Sequence, residues 1–394
     1  MQFAFTDEQL MIRESARTFL DAEAALPAVR AASATSFGYD AHLWQQMTQE
    51  LGWSAIAIPE VYGGAGLGFV ELAILAHEQG RRLLPSPFFA TVCLAAPVIM
   101  QLGREEQKAQ WLSAIAGGSL KAALALSNQA GHADIGRVAS TLTRSGADWV
   151  LSGEAHFVVS AADADLLLIV ARVQETGVKE TAVAPSVRVV AVSPKASGVR
   201  LQMTEMLDVT RPMSSVAFDQ VAVRADALLG LDADASVGLQ RALDQARVVL
   251  SAEAVGGAEY SLEAVTAYVK ERVQFGRAIG SFQAIKHRLA DSMVLVEAAK
   301  SMAWYAACAA DESTDQDLAM AASQAKSCCA DAFNAVAANA IQLHGGIGFT
   351  WDHHAHLYFK RARASSMLLG SPAWHRERVA CGLGLGSISS ALQF

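Results

Sequence analysis

Two segments of the chain gather the residue types that hold an anion. The first runs from Tyr268 through Arg272, Gln274, Phe275, Gly276 and Arg277 to Gly280, Ser281 and Gln283, with Lys286 and His287 just beyond. It sets guanidinium groups, amides and turn glycines beside a helix start. Ser281 can cap that helix and leave its first N–H groups facing a phosphate. The same pattern also reads as a solvated helix end closed by a glycine turn. The second segment, Gln342-Leu343-His344-Gly345-Gly346-Ile347-Gly348-Phe349, has glycines close enough to form a backbone nest for an anion, or simply to end a helix. His353, His354 and His356 follow it, but neither a cysteine nor a properly spaced second histidine pair accompanies them, so no metal site is expected. Neither the G-x-S-x-G elbow nor the Walker lysine loop occurs, and the glycines between 63 and 68 do not match the dinucleotide fingerprint. The residues by themselves give one or two anion sites and name no reaction.

The elements that must position these segments follow a helix–sheet–helix order. Thr6 and Gln9 form a capping box ahead of Leu10, Ile12, Ala16 and Leu20, and helical periodicity continues to about Leu120, broken by the loop Pro59–Gly68. From Ala122 the chain turns to short β-branched and aromatic runs, 149–151, 157–159, 166–170, 187–192 and 216–218, which predict an antiparallel sheet. Gln174–Pro185, polar or small between two such runs, reads as a mobile loop. After Asp232 the helical period returns, with Phe282, Ile285, Leu289, Met293 and Val296 stepping by three or four. The expected domains are therefore 1–120, 121–231 and 232–394. A hydrophobic fraction of 52% in 394 residues, with 18% charged, excludes a disordered chain. The net charge of −8 argues against a nucleic-acid partner. Leu83–Gly103 carries no charge, but its prolines point to a buried helix and no membrane span. Five scattered cysteines and an N-terminus without an apolar export core point to the cytoplasm.

The same segments resemble the acyl-CoA dehydrogenase family over nearly the whole chain. TDEQLMIRESARTFL is similar to the family's opening helix, PEVYGG to its N-terminal loop, RVQFGRAIGSFQAIKHRLAD to its most characteristic stretch and QLHGGIGF to its late glycine motif. The resemblance implies an α+β, mainly α fold: an N-terminal helical domain, a central β-barrel-like domain and a C-terminal four-helix bundle. It implies FAD as cofactor, oxidation of the Cα–Cβ bond of an acyl-CoA substrate to the 2-enoyl-CoA, and electron-transfer flavoprotein or a similar acceptor. Arg272, Gln274 and Phe275 would reach the FAD of a neighbouring subunit, with Arg272 at the pyrophosphate. Gln342, Gly345 and Gly346 would close over its diphosphate and adenosine part, with Gln283 nearby. Ser127, Phe157 and Ser160 of the sheet domain would line the flavin. Such sharing implies a dimer at least, and by family habit a tetramer, homomeric or heteromeric.

Departures from the family pattern bear on the reaction. Where the motif Glu-Gly-Thr carries the catalytic base, this chain has Leu369-Gly370-Ser371, and the alternative base position on the first long C-terminal helix is Ala246. Glu253 lies seven residues beyond Ala246, about 10 Å along a helix, and is the remaining candidate base. Val159 stands where a threonine hydroxyl would meet the flavin N5 region and cannot donate that bond. Two readings stay open: a dehydrogenase that uses Glu253 or a carboxylate elsewhere, and a base-deficient partner subunit of a heteromer such as those acting on steroid side-chain thioesters.

Overall fold

The computed structural model describes residues 4–131, 134–174, 186–230, 234–312 and 314–386. Helix α1 (Asp7–Glu23) opens with the reciprocal capping box: the Thr6 hydroxyl accepts from the Gln9 N–H and the Gln9 side chain accepts from the Thr6 N–H. Helices α2 (Leu26–Ser33), α3 (Ala41–Gln45), α4 (Phe69–Arg82), α5 (Ala96–Leu102) and α6 (Glu105–Ala116) complete the first part. The uncharged stretch before Gly103 is core, with Leu94, Val98 and Ile99 buried and Pro97 in the first turn of α5, where a missing N–H costs little. Among the described residues no helix is long and apolar enough to cross a membrane.

The sheet comprises β1 (Ala122–Ala125), β2 (Thr141–Ser145), β3 (Asp148–Val159), β4 (Leu166–Gln174), β5 (Val187–Val192), β6 (Val199–Thr204), β7 (Met213–Val223) and β8 (Leu228–Leu229). Its order is β6-β7-β3-β2-β4-β5-β8, with β1 also beside β4. The runs at 149–151 and 157–159 are one strand, β3, irregular against β7 at two points. The expectation of an antiparallel sheet needs correction, because β4 runs parallel to both β1 and β2. Residue alternation reports the pleat and not the direction of the partner. The signal available was that Leu166–Ala171 is buried on both faces, as in strands flanked by parallel neighbours. The loop expected beyond Gln174 lies outside the described residues.

The third part holds α7 (Ser236–Glu271), a hairpin of β9 (Val273–Gln274) and β10 (Arg277–Ala278), α8 (Gln283–Glu312), α9 (Asp315–His344), α10 (Ala355–Met367) and α11 (Pro372–Gly382). Helices α7, α8 and α9 pack together, and α10 and α11 lie against α9. Alanines such as Ala306, Ala310, Ala321 and Ala325 fill one of the seams. Helix α4 joins this bundle through direct backbone contact with α7. A Cβ on Gly80 would stand 2.0 Å from the Glu253 carbonyl oxygen, and one on Gly256 would stand 1.9 Å from that of His77. At this crossing the buried His77 ring lies 3.1 Å from Glu78 and 3.2 Å from Glu259. Burial alone would lower its pKa, but the two carboxylates outweigh burial and raise it.

Candidate active site

The turn between α10 and α11 carries the residues at the motif position 369–371. Ser371 caps α11, its hydroxyl accepting from the Trp374 N–H at 3.2 Å. Leu369 and Gly370 have φ of 58° and 111°, so a leucine sits in the left-handed region that ordinarily favours glycine. Side chains from three helices grip the main chain there. Lys326 of α9 donates to the carbonyls of Ser365, Ser366 and Gly370 at 3.0, 3.2 and 3.4 Å. Arg247 of α7 donates to the Leu369 carbonyl at 3.0 Å, and His375 Nε2 lies 3.1 Å from the same oxygen. Burial, helped by the Arg247 charge, pushes the Lys326 ammonium down to about 7. Burial pushes the His375 imidazole far below its ordinary value, so this ring is neutral and donates through Nε2. The Leu369 side chain itself is apolar and 6% exposed, and Ala246, next to Arg247, is fully buried. Positions 369 and 246 belong to one buried apolar cluster, and neither carries a carboxylate.

Glu253 sits deeper, in a buried ion-pair cluster between α7, α10 and the loop before β7. Arg361 lies 2.8 Å from its Oε1, and Arg211 bonds both of its oxygens. Arg361 also pairs with Asp208 at 2.9 Å and donates to the Thr210 hydroxyl at 2.9 Å. Arg211 donates to the Ser365 hydroxyl at 3.1 Å and lies over the Phe89 ring. Two guanidinium groups thus place two bonds on Oε1 and one on Oε2, holding this carboxylate ionised and fixed as an ion-pair anchor. Sequence reasoning missed Arg211 and Arg361, which stand 42 and 108 residues from Glu253. No local spacing connects them.

The residues expected to hold a cofactor form two separate groups. On the sheet side, Ser127 follows β1 and its carbonyl accepts from the His156 N–H at 2.8 Å. Phe157 and Ser160 have φ of 55° and 52°, so the end of β3 is twisted out of regular pairing. The Ser160 hydroxyl is buried and has no partner among the described residues, while Val159 beside it is buried and apolar. At the far end of the bundle, Arg272, Gln274 and Phe275 belong to the β9–β10 hairpin region, where Phe275 is 91% exposed. The Arg272 side chain is exposed and has no partner among the described residues. Gly345 ends α9 with φ of 66°, the C-cap that the glycines allowed, and a Cβ there or on Gly346 would meet nothing within 4 Å. The Tyr268 and His344 rings, 4.4 Å apart, bring this turn beside the hairpin, with Gln342 and Gln283 exposed nearby in the chain. The Ser281 hydroxyl donates to the Ala278 carbonyl at 2.7 Å and does not cap α8, because the chain tightens into a 3₁₀ turn there.

Arg211, bonded to Glu253, ties the sheet-side group to the middle of α7, since the neighbouring Pro212 carbonyl accepts from the Ser160 N–H at 2.9 Å. From Glu253 to Arg272 the helix advances about 28 Å at 1.5 Å per residue. One chain therefore presents two half-sites at a distance from each other. His344, His353 and His354 surround a small cavity, and burial with the neighbouring histidines pushes the His353 imidazole down to about 4. Among the described residues no three His, Cys, Asp or Glu are grouped to hold a metal ion.

Comparison with known proteins identifies the frame. Residues 6–119 match the acyl-CoA dehydrogenase N-terminal domain, and residues 238–384 match the acyl-CoA dehydrogenase C-terminal domain. The chain is 34% identical over 366 residues to the acyl-CoA dehydrogenase IpdE2 of Mycobacterium tuberculosis, covering 93% of this chain and 94% of that protein. The chain belongs to the acyl-CoA dehydrogenase family. A variant of the steroid ACAD Tcur3481-Tcur3483 superposes with a TM-score of 0.84 at 30% identity, covering 97% of this chain and 99% of that one. A glutaryl-CoA dehydrogenase from Mycobacterium smegmatis, solved in complex with FADH2, shares the fold with a TM-score of 0.87 at 21% identity, covering 98% and 97%.

FAD is the cofactor of acyl-CoA dehydrogenases, acyl-CoA thioesters are their substrates, and a tetramer is their typical assembly. The two half-sites fit a flavin dinucleotide. The Ser160 hydroxyl, unpartnered among the described residues, and the Phe157 ring offer a polar and an aromatic contact, and Arg272, likewise unpaired among the described residues, offers with the open Gly345–Gly346 turn charge and N–H groups for a diphosphate.

Proposed function

We propose that this chain serves the FAD-dependent oxidation of an acyl-CoA at its Cα–Cβ bond as the base-deficient subunit of a heteromeric acyl-CoA dehydrogenase in the cytoplasm. The observation that carries the reading is the turn at 368–371. Its main chain is gripped by Lys326, Arg247 and His375, yet the side chain it presents is Leu369. The reaction needs a carboxylate to take the α proton while the thioester carbonyl is held by donors. Bound FAD supplies the hydride acceptor. Leu369 and Ala246 can take no proton, and Glu253 is held by two guanidinium groups in an ion-pair cluster. A steroid ACAD whose name joins two components, Tcur3481 and Tcur3483, is among the relatives at 30% identity. The experiment is to purify the chain alone and together with a paralogue that has glutamate at the position of Leu369. Each preparation is then mixed with straight-chain and steroid-derived acyl-CoA thioesters while flavin absorbance is followed. The chain alone is expected to leave the flavin oxidised, and the pair to bleach it. Dye reduction by the homomer at ordinary enzymatic rates would remove the subunit reading and require another base.

In the same reading each FAD is shared between chains. Arg272, Gln274, Phe275, Gln283, Gln342, Gly345 and Gly346 of this chain hold the diphosphate and adenosine part of a flavin whose ring lies in the neighbour's sheet-side group. Ser127, Phe157 and Ser160 line the flavin half of its own site. The roughly 28 Å of helix between Glu253, tied through Arg211 to the sheet-side group, and Arg272 supports this arrangement. Arg272→Ala, which leaves phosphate charge uncompensated, is expected to lower flavin retained after gel filtration by about tenfold or more, given roughly 1.5–3 kcal/mol for a charged hydrogen bond. The fold should be unaffected, because the side chain is exposed and has no partner among the described residues. A monomer with full flavin content would sink the shared site.

A further inference from the structure

Ser160 is left-handed, with φ of 52° and ψ of 29°, a conformation that a residue with a side chain keeps only where its surroundings enforce it. A serine at the start of a helical turn ordinarily caps it. The Ser160 side chain makes no such bond to the 3₁₀ turn Ala161–Asp163, and its buried oxygen has no partner among the described residues. The strained residue is braced on both sides. On one side its N–H donates to the Pro212 carbonyl at 2.9 Å. On the other, the turn that it opens ends at Asp163, whose carboxylate accepts from the Tyr39 hydroxyl and, at 2.7 Å, from the Lys121 ammonium. Gly38 and Tyr39, between α2 and α3, reach both supports. A Cβ on Gly38 would stand 3.0 Å from the Pro212 Cβ, so main chain lies against that ring. Tyr39 is buried, and its own N–H donates to the Thr35 hydroxyl at 3.1 Å. Burial and the Asp163 charge hold the Tyr39 phenol well above its ordinary pKa, so it stays a donor. One dipeptide of the helical part thus fixes a serine of the sheet whose hydroxyl is left free.

We infer that Tyr39 is a positioning residue for the cofactor: through Asp163 it sets where the Ser160 hydroxyl stands for a hydrogen bond with the flavin. This rests on the reading of Ser160 as part of the flavin half-site, and the test separates the two. The assembly that retains flavin, homomeric or heteromeric, is stripped of it and titrated with FAD in four forms: unaltered, Ser160→Ala, Tyr39→Phe and the double variant. Ser160→Ala is expected to weaken FAD about fivefold, the worth of one ordinary hydrogen bond, and to shift the visible bands of the bound flavin. Tyr39→Phe keeps the ring and removes only the bond to Asp163. It should reproduce most of that loss and the same band shift. Added to Ser160→Ala it should change nothing further, because two residues that act through one contact are not additive. A merely structural Tyr39 would weaken FAD equally with or without the Ser160 hydroxyl, and that additive result overturns the proposal. So does Tyr39→Phe with unchanged affinity and bands. If Ser160→Ala itself binds FAD like the unaltered protein, or no assembly takes up FAD, the half-site reading falls and the proposal with it. Asp163→Asn, which keeps the shape and removes the charge that Tyr39 and Lys121 face, repeats the cycle with Ser160→Ala should Tyr39→Phe fail to fold. It carries the same expected and overturning results.

Discussion

Glu253→Gln is expected to cost about 3 kcal/mol of stability, the lower end of what removing one partner from a buried ion pair costs. The substitution is nearly isosteric, so packing is not the cause. It takes away the charge that two guanidinium groups face, leaving Arg211 and Arg361 with Asp208 as their single compensating carboxylate. The glutamine NH2 cannot accept from either arginine, and only its carbonyl can. The side chains concerned are 12%, 4% and 3% exposed, so water screens little of the loss. Urea unfolding of the flavin-loaded protein measures it. A change below about 0.5 kcal/mol, the range of ordinary surface substitutions, would mean that the cluster is not the anchor described. The double variant Glu253→Gln with Arg361→Met should recover part of the loss, because residues in one ion-pair network are not additive. A second readout separates anchor from base. In the chain alone, a catalytic Glu253 would give flavin bleaching by acyl-CoA that Glu253→Gln abolishes, whereas an anchor gives no bleaching before or after the substitution.

Local patterns in the sequence reached the helices and strands and stopped at their partners. The capping box at Thr6 and Gln9 is complete within four residues, so its geometry follows from spacing alone. The glycine ending α9 is local in the same way. The direction of β4 is not, because it depends on the route by which the chain returns from β3. The candidate site was legible only as a set of positions. Resemblance located 369 and 246 as the places to inspect, and the sequence itself shows that they hold leucine and alanine. That Glu253 is pinned by Arg211 and Arg361 could not be read, since those contacts join the sheet and two helices. The grip of Lys326 on the 365–370 carbonyls was equally hidden, for a lysine in an alanine-rich helix reads as a solvated one. Buried polar groups reveal their purpose through what they touch, and a one-dimensional pattern carries no touch.

Leu369→Glu is expected to give the chain by itself a flavin-bleaching activity about 10²-fold above its unaltered background, the low end of what a general base contributes. The turn is already built for the substitution. Its main chain is fixed by Lys326, Arg247 and His375, so the new side chain would leave from the same left-handed position as Leu369, within the buried cluster that also holds Ala246. A carboxylate entering this apolar cluster would ordinarily be expelled or neutralised. Here the Arg247 Nη2 is buried without a partner among the described residues and supplies a counter-charge within the same neighbourhood. That pairing keeps the carboxylate ionised, and an ionised carboxylate can take a proton. Val159 sets the ceiling, because the hydroxyl that would assist at the flavin is still missing, so Val159→Thr added to Leu369→Glu should raise the rate further. Rapid mixing with acyl-CoA reads both changes. If flavin content is normal and Leu369→Glu still gives no bleaching, position 369 does not face the thioester. The retained grip on its main chain would then serve the fold alone.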